Sequence, residues 1–210
     1  MIKEIDLGVM RQTLPGINKW LLTYLELMEC AQSPDFTKGT EFEEFQRKYK
    51  GFYRVRRNDD WCQSYFSYME RNKGNRFTFE DVLTHMFEAT GRIEASFSSK
   101  LLATIHPDKP IWDSYVMSQL NLAQPAKGQK NKQKQLKQTI SKYYQLTEWY
   151  ERYIETPNAK NVVKAFDETF PNATQITDIK KIDCALWSMG ANRRSQLRRE
   201  RQKRTPNITF

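Results

Sequence analysis

Apolar side chains recur at helical spacing through most of the chain. Between Gly16 and Ala31 the residues Ile17, Trp20, Leu21, Tyr24, Leu25, Leu27 and Met28 form one stripe, which predicts an amphipathic helix. Ser33-Pro34-Asp35 stops it. Thr40–Tyr53, with Phe42, Phe45 and Tyr49 three and four apart, predicts a second helix. A third runs from a cap at Asp59 or Asp60 through Met69 and ends at Lys73-Gly74-Asn75. Thr78 with Asp81 has the spacing of a capping box, and Phe79, Val82, Leu83, Met86 and Phe87 follow it as far as Gly91, a residue suited to a left-handed helix end.

The next stretch, Gly91–Leu122, combines a turn glycine, a short polar hairpin, an apolar helix and a proline-bracketed loop. Ser96 is placed to cap a helix through Ile105, Pro107 and Pro110 forbid its continuation, and Asp113 is placed to cap Ser114–Leu120. Gln124–Lys132 is a polar, lysine-rich loop. Helices then follow over Gln133–Ile154, over Val162–Phe170, and from Thr177-Asp178 to a close at Gly190. Met1–Pro15 carries little periodic signal, and no run of alternating β-branched residues stands out. The reading is all-α, about eight to ten helices. They form one domain over residues 1–190, open to a two-lobed shape, followed by a basic tail over 191–210.

Composition narrows the chemistry. At 210 residues the chain can bury a real core, and 13% aromatic residues compensate for an apolar content of 39%. No apolar run is long enough to cross a bilayer and the N-terminus has no cleavable signal pattern, so a cytoplasmic protein without membrane contact is expected. Cys30, Cys62 and Cys184 are odd in number and far apart, which excludes a disulfide framework and disfavours zinc. Only His85 and His106 are present, and no phosphate-binding glycine loop, dinucleotide fingerprint or HExxH occurs. Neither a metal nor any other cofactor is called for.

Charge changes the picture more. The net charge of +9 is concentrated in two blocks of +6 each, leaving −3 on the rest. One block, Lys127–Thr147, includes Lys127, Lys130, Lys132 and Lys134; the other, Ala191–Arg204, includes Arg193, Arg194, Arg198 and Arg199. Basic blocks on a mildly acidic body suit a polyanion, because neutralising phosphates releases counterions. A solubilising linker and a loose basic tail would give the same counts.

Asp113 and Lys100 are the candidates for chemistry. Asp113 is favourable as a helix cap, so its position alone proves nothing. A lysine in the first turn of a helix meets the positive end of the dipole, so propensity does not ask for Lys100. The segment resembles the helix-hairpin-helix DNA glycosylases, the superfamily of endonuclease III and the 8-oxoguanine and alkyladenine glycosylases. Pro110-Ile111-Trp112-Asp113-Ser114-Tyr115-Val116 is similar to the family's Pro/Val-x-Asp-Thr/Ser-x-Val motif, which carries its essential aspartate. Ser96-Phe97-Ser98-Ser99-Lys100 stands where the family has its hairpin and, in some members, a lysine. The match covers about thirty residues, and an all-α body suits the family fold.

The resemblance implies an enzyme that flips a modified or damaged base out of double-stranded DNA and cleaves its N-glycosidic bond. It implies Asp113 as the carboxylate facing the sugar cation and Lys100 as a nucleophile for added lyase activity. Ser96, Ser98 and Ser99 would donate to phosphate, and Phe97, Trp112 and Tyr115 would wall the base pocket. Base-excision repair and defence against modified phage DNA are both within its scope, and the chain would act as a monomer. A non-catalytic, all-α nucleic-acid-binding protein is the competing class, and a helical scaffold whose tail binds acidic proteins is a third.

Overall fold

The computed structural model describes residues 2–32, 39–122 and 131–204. Among them are ten α-helices, one 3-10 turn at Leu14–Ile17 and no strand. The helices are α1 (Leu7–Thr13), α2 (Asn18–Gln32), α3 (Gly39–Tyr53), α4 (Asp59–Asn72), α5 (Phe79–Thr90), α6 (Ala95–Ile105), α7 (Ser114–Gln119), α8 (Lys132–Tyr153), α9 (Pro157–Thr169) and α10 (Asp178–Arg204).

Local chemistry explains most of the boundaries. The Thr78–Asp81 capping box opens α5, and Gly91 closes it at φ 67° with its N–H on Phe87 O. Asp113 caps α7, its side chain accepting from Tyr115 N. Several features differ from the sequence expectation. Asn58, rather than Asp59 or Asp60, caps α4, because its side chain reaches Trp61 N. Thr156 caps α9 a full turn and more before Val162, with Pro157 at the first position, where a missing N–H costs nothing. α1 occupies a stretch with little periodic signal, capped by Asp6.

The buried residues form two clusters that share a wall. The larger gathers Met10, Leu14, Val116, Leu146, Phe166 and Ile182, among others. The smaller gathers Phe45, Tyr49, Trp61, Tyr65 and Met69 from α3 and α4. α2, α5 and α6 form the wall, turning one face to each cluster. Leu102 packs into the larger core and its neighbour Leu101 into the smaller; Leu83 and Val82 divide in the same way. Phe52, near the end of α3, packs against both.

α10 corrects the expected boundary at Gly190. The helix does not close there but continues to Arg204, so the basic stretch after Gly190 prolongs one 27-residue helix, exposed from Asn192 to Glu200. Gly190 has another purpose. A Cβ on it would lie 2.6 Å from Tyr115 Cβ, closer than real carbons approach, and 3.2 Å from Tyr115 Cα. The glycine lets α7 lie directly against α10. The residue right before α7 is Asp113, so this crossing helps fix where its carboxylate stands.

Candidate active site

The site is built on the turn between α5 and α6. After Gly91 the chain passes Arg92 and Ile93 to Glu94, which precedes α6 without a side-chain cap bond of its own. Glu94 is held instead by Arg57, whose Nε and Nη2 meet its two carboxylate oxygens at 3.0 and 3.1 Å. A two-pronged, charge-assisted contact of this kind fixes orientation as well as distance.

α6 therefore begins earlier than expected, and three assignments change with it. Ser96 lies inside the helix and caps nothing; its carbonyl accepts from Ser99 Oγ at 3.0 Å. Ser98 and Ser99 are fully buried, so neither presents a hydroxyl to a phosphate at the surface. Lys100 is the sixth residue of α6, in its second turn rather than its first. The turn between α5 and α6 spans Gly91–Glu94, a few residues upstream of Ser96–Ser99.

Ser99 has a different task. Its Oγ accepts from Trp112 N at 2.9 Å. The residue before Lys100 thereby grips the residue before Asp113. Two further bonds hold the same loop: Tyr143 of α8 donates to Pro110 O at 2.9 Å, and Thr177 donates to Pro107 O at 3.0 Å. Three hydroxyls from three places in the chain bind one proline-bracketed loop, and Asp113 stands at its end. Trp112 is only 4% exposed and belongs to the larger core, so it supports the loop and does not wall an open pocket.

Lys100 and Asp113 are both half-buried. Lys100 Nζ lies 5.1 Å from the ring of Tyr53 and 5.1 Å from that of Phe97. Among the described residues it has no hydrogen bond or salt bridge. Burial holds the Lys100 ammonium below its usual pKa; Asp113 opposes that shift and Lys180 adds to it. Burial likewise pushes the Asp113 carboxyl up; the Tyr115 N–H bond opposes this, the Asp183 charge adds to it, and Lys100 partly offsets it. Each group is thus moved toward its neutral form, the condition in which an amine is a nucleophile.

Sequence reading missed a second lysine–carboxylate pair in the same place. Lys180 and Asp183, on the first turns of α10, are 6% and 7% exposed and meet at 2.6 Å. Tyr150 donates to the other Asp183 oxygen at 3.1 Å. Lys180 Nζ lies 4.9 Å from the ring of Tyr24 and 5.2 Å from that of Trp20. Burial disfavours its charge more than any other single influence, but Asp183, Cys184, Tyr24 and Tyr53 together outweigh burial and leave Lys180 above its usual pKa, an ammonium. A signal was present: Lys180, Asp183 and Trp187 are three and four apart, so two charges occupy the stripe that a helix normally turns inward.

Aromatic rings line the surroundings. Trp20 stacks on Trp187 at 5.6 Å and on Tyr24 at 5.5 Å, and touches Phe52 at 5.0 Å. Tyr115 meets Trp187 edge-on at 6.0 Å. Phe97 and Tyr115 are half-buried around the charged groups. Trp20, Tyr53 and Trp187 join them.

The basic residues divide. Arg193, Arg194 and Arg198 are exposed on the far half of α10, and Arg194 lies 5.7 Å from the Tyr115 ring, which links that helix to the site. Lys132 and Lys134 are exposed at the start of α8. Lys127 and Lys130 lie outside the described residues. A cavity of about 510 Å3, lined by Ile5, Gln119, Leu186, Met189 and Arg193 among others, shares no residue with the Lys100–Asp113 site. No group of three or more His, Cys, Asp or Glu side chains among the described residues is placed to hold a metal ion, and no described helix is long and apolar enough to cross a membrane. No protein-family model, curated protein or solved structure was found to match the chain.

Proposed function

We propose that the chain is a DNA N-glycosylase, with Asp113 and Lys100 as its reacting groups. One observation carries the reading: an unpaired lysine and a capping carboxylate, both half-buried and both shifted toward neutrality, share one aromatic-lined site. Arg194, which begins the exposed arginine stretch with Arg193, reaches that site through Tyr115. Groups with shifted pKa values concentrate where chemistry is done. The resemblance of residues 110–116 to the glycosylase aspartate motif supports the same reading.

The chemistry follows from charge. Cleaving the bond between C1′ and the base leaves positive charge on the sugar, which a fixed carboxylate such as Asp113 stabilises. In the hydrolytic route water adds to C1′, the bonding pair leaves on the base, and the proton lost by water is taken up by the base. In the lyase route the Lys100 lone pair adds to C1′ instead, the bonding pair again leaves on the base, and the base takes up one of the two amine protons. Opening of the sugar ring, with O4′ taking the amine proton, then gives a Schiff base.

Base release decides the matter. Genomic DNAs of differing base modification are incubated with the protein and abasic sites are counted. Asp113→Asn is expected to lower release by several powers of ten while DNA affinity stays close to wild type. Borohydride should trap wild-type protein on abasic DNA and not Lys100→Ala; release without trapping assigns the hydrolytic route. The second reading, a nucleic-acid-binding protein without catalysis, draws on the exposed arginines of α10 and the exposed Lys132 and Lys134. It predicts binding with no release from any DNA.

A further inference from the structure

Lys180 and Asp183 are more enclosed than either reacting group, and the mechanism above does not use them. A buried ion pair adds little to stability compared with apolar side chains of the same size, so its presence beside a candidate site asks for another reason. We propose that Lys180 and Asp183 are positioning residues of this site: a fixed ion pair set like charge toward like charge, Lys180 toward Lys100 and Asp183 toward Asp113, which enlarges the share of Lys100 present as free amine. This rests on the reading of Lys100 and Asp113 as the reacting groups.

The placement comes first from packing. Lys100 lies against Tyr53, whose ring is 4.7 Å from Phe52; Phe52 in turn packs on Trp20 at 5.0 Å and on Tyr24 at 6.3 Å. Those last two rings carry Lys180. The two ammoniums therefore share one aromatic partition. Asp183 lies one turn further along α10, nearer the point where Gly190 and Trp187 meet Tyr115, and so nearer the start of α7. Asp113 is the cap of that helix. Tyr150 fixes the direction of the Asp183 carboxylate from the α8 side.

The field agrees with this arrangement. Lys180 acts on Lys100 more strongly than Asp183 does, and Asp183 acts on Asp113 more strongly than Lys100 does. The charged and titratable groups around Lys100 are Tyr53 from α3, Asp113 from the α7 cap and the α10 pair, with the Arg57–Glu94 pair beyond Phe97. Arg57 lies 5.3 Å from that Phe97 ring, on whose face Lys100 also sits. Arg57 and Lys180 are each locked to a carboxylate, and of the two it is Lys180 whose charge acts on Lys100. A purely structural pair would not need this polarity, because either orientation satisfies the two charges.

The test reads Lys100 directly, without DNA. Full-length protein is pulse-labelled with acetic anhydride from neutral to alkaline pH, and acetylation of each lysine is followed by mass spectrometry. The midpoint pH reports titration, whereas the plateau reports access. Lys180→Met should raise the Lys100 midpoint and slow its labelling at neutral pH by about threefold or more. Asp183→Asn should lower the midpoint and speed labelling. Lys180→Arg, which keeps the charge, should restore the wild-type midpoint. If Lys180→Met does not fold, Lys180→Met with Asp183→Leu removes both charges and should still raise the midpoint, by less. Opposite movements in the two single variants support the proposal. Movement in the same direction, or a wild-type midpoint in every folded variant, overturns it. Base release bears on the glycosylase reading alone, so failure of either is recognised separately.

Discussion

Ser99 Oγ serves two backbone groups at once, donating to Ser96 O and accepting from Trp112 N. Removing it leaves a buried N–H without a partner, which costs about 1–3 kcal/mol. Ser99→Ala is therefore expected to lower the melting temperature and slow base release while leaving the salt dependence of DNA binding unchanged. A flatter salt slope in that variant would instead restore the phosphate-donor role. Asp113 makes a prediction of opposite sign. Burial raises its pKa in the fold, so ionising it opposes folding, and the contribution of Asp113 to stability falls as pH rises above the ordinary aspartate value of about 3.9. Asparagine caps a helix about as well and carries no charge. Asp113→Asn should melt at or above wild type at neutral pH, with the difference disappearing in acid. Melts at several pH values check this, and a large loss of stability at neutral pH would speak against it.

At the scale of elements, the α7–α10 crossing and the α5–α6 turn position the chemistry. Two glycines inside helices make a controlled comparison. A Cβ on Gly51 of α3 meets nothing within 4 Å, so Gly51→Ala should stabilise by about 0.5–1 kcal/mol through helix propensity alone. A Cβ on Gly190 meets the backbone of Tyr115, which cannot yield as the end of a flexible side chain can. Gly190→Ala should destabilise by about 1–3 kcal/mol and displace Asp113 with α7, lowering base release more than DNA affinity. Chemical denaturation of both variants decides it; equal gains would mean the crossing is looser than the geometry implies.

For the molecule as a whole, the proposed function assigns chemistry to the Lys100–Asp113 site and DNA capture to the exposed stretch Asn192–Glu200 of α10. From Asn192 to Glu200 every residue of α10 is exposed, so its arginines are free to meet phosphates without disturbing the core. Replacing Arg193, Arg194, Arg198 and Arg199 with alanine should leave the melt unchanged and weaken DNA binding. The slope of log affinity against log salt should flatten by about 0.9 for each phosphate that is no longer neutralised. An unchanged slope would remove α10 from the DNA interface. Loss of release at high salt but not at low salt would show that these charges serve capture and leave the chemistry to Lys100 and Asp113.

Helix content, the Thr78–Asp81 box, the left-handed Gly91 and the Asp113 cap were legible in the sequence because each depends on residues within one or two turns of one another. Lys100 and Asp113 were named from the resemblance of residues 96–100 and 110–116 to the glycosylase hairpin and aspartate motif. What lay beyond sequence depended on which surface each helix meets. The serines of residues 96–99 read as polar and accessible, yet α6 lies between two cores and buries Ser98 and Ser99. Gly190 read as a helix end, although its missing side chain serves a neighbour 75 residues away in sequence, Tyr115. Lys180 and Asp183 stand out as a pair only once Trp20, Tyr24 and Tyr150 close over them from α2 and α8. Periodicity states which side of a helix faces inward but not what waits there, and burial of a charge is decided by the partner that tertiary packing brings.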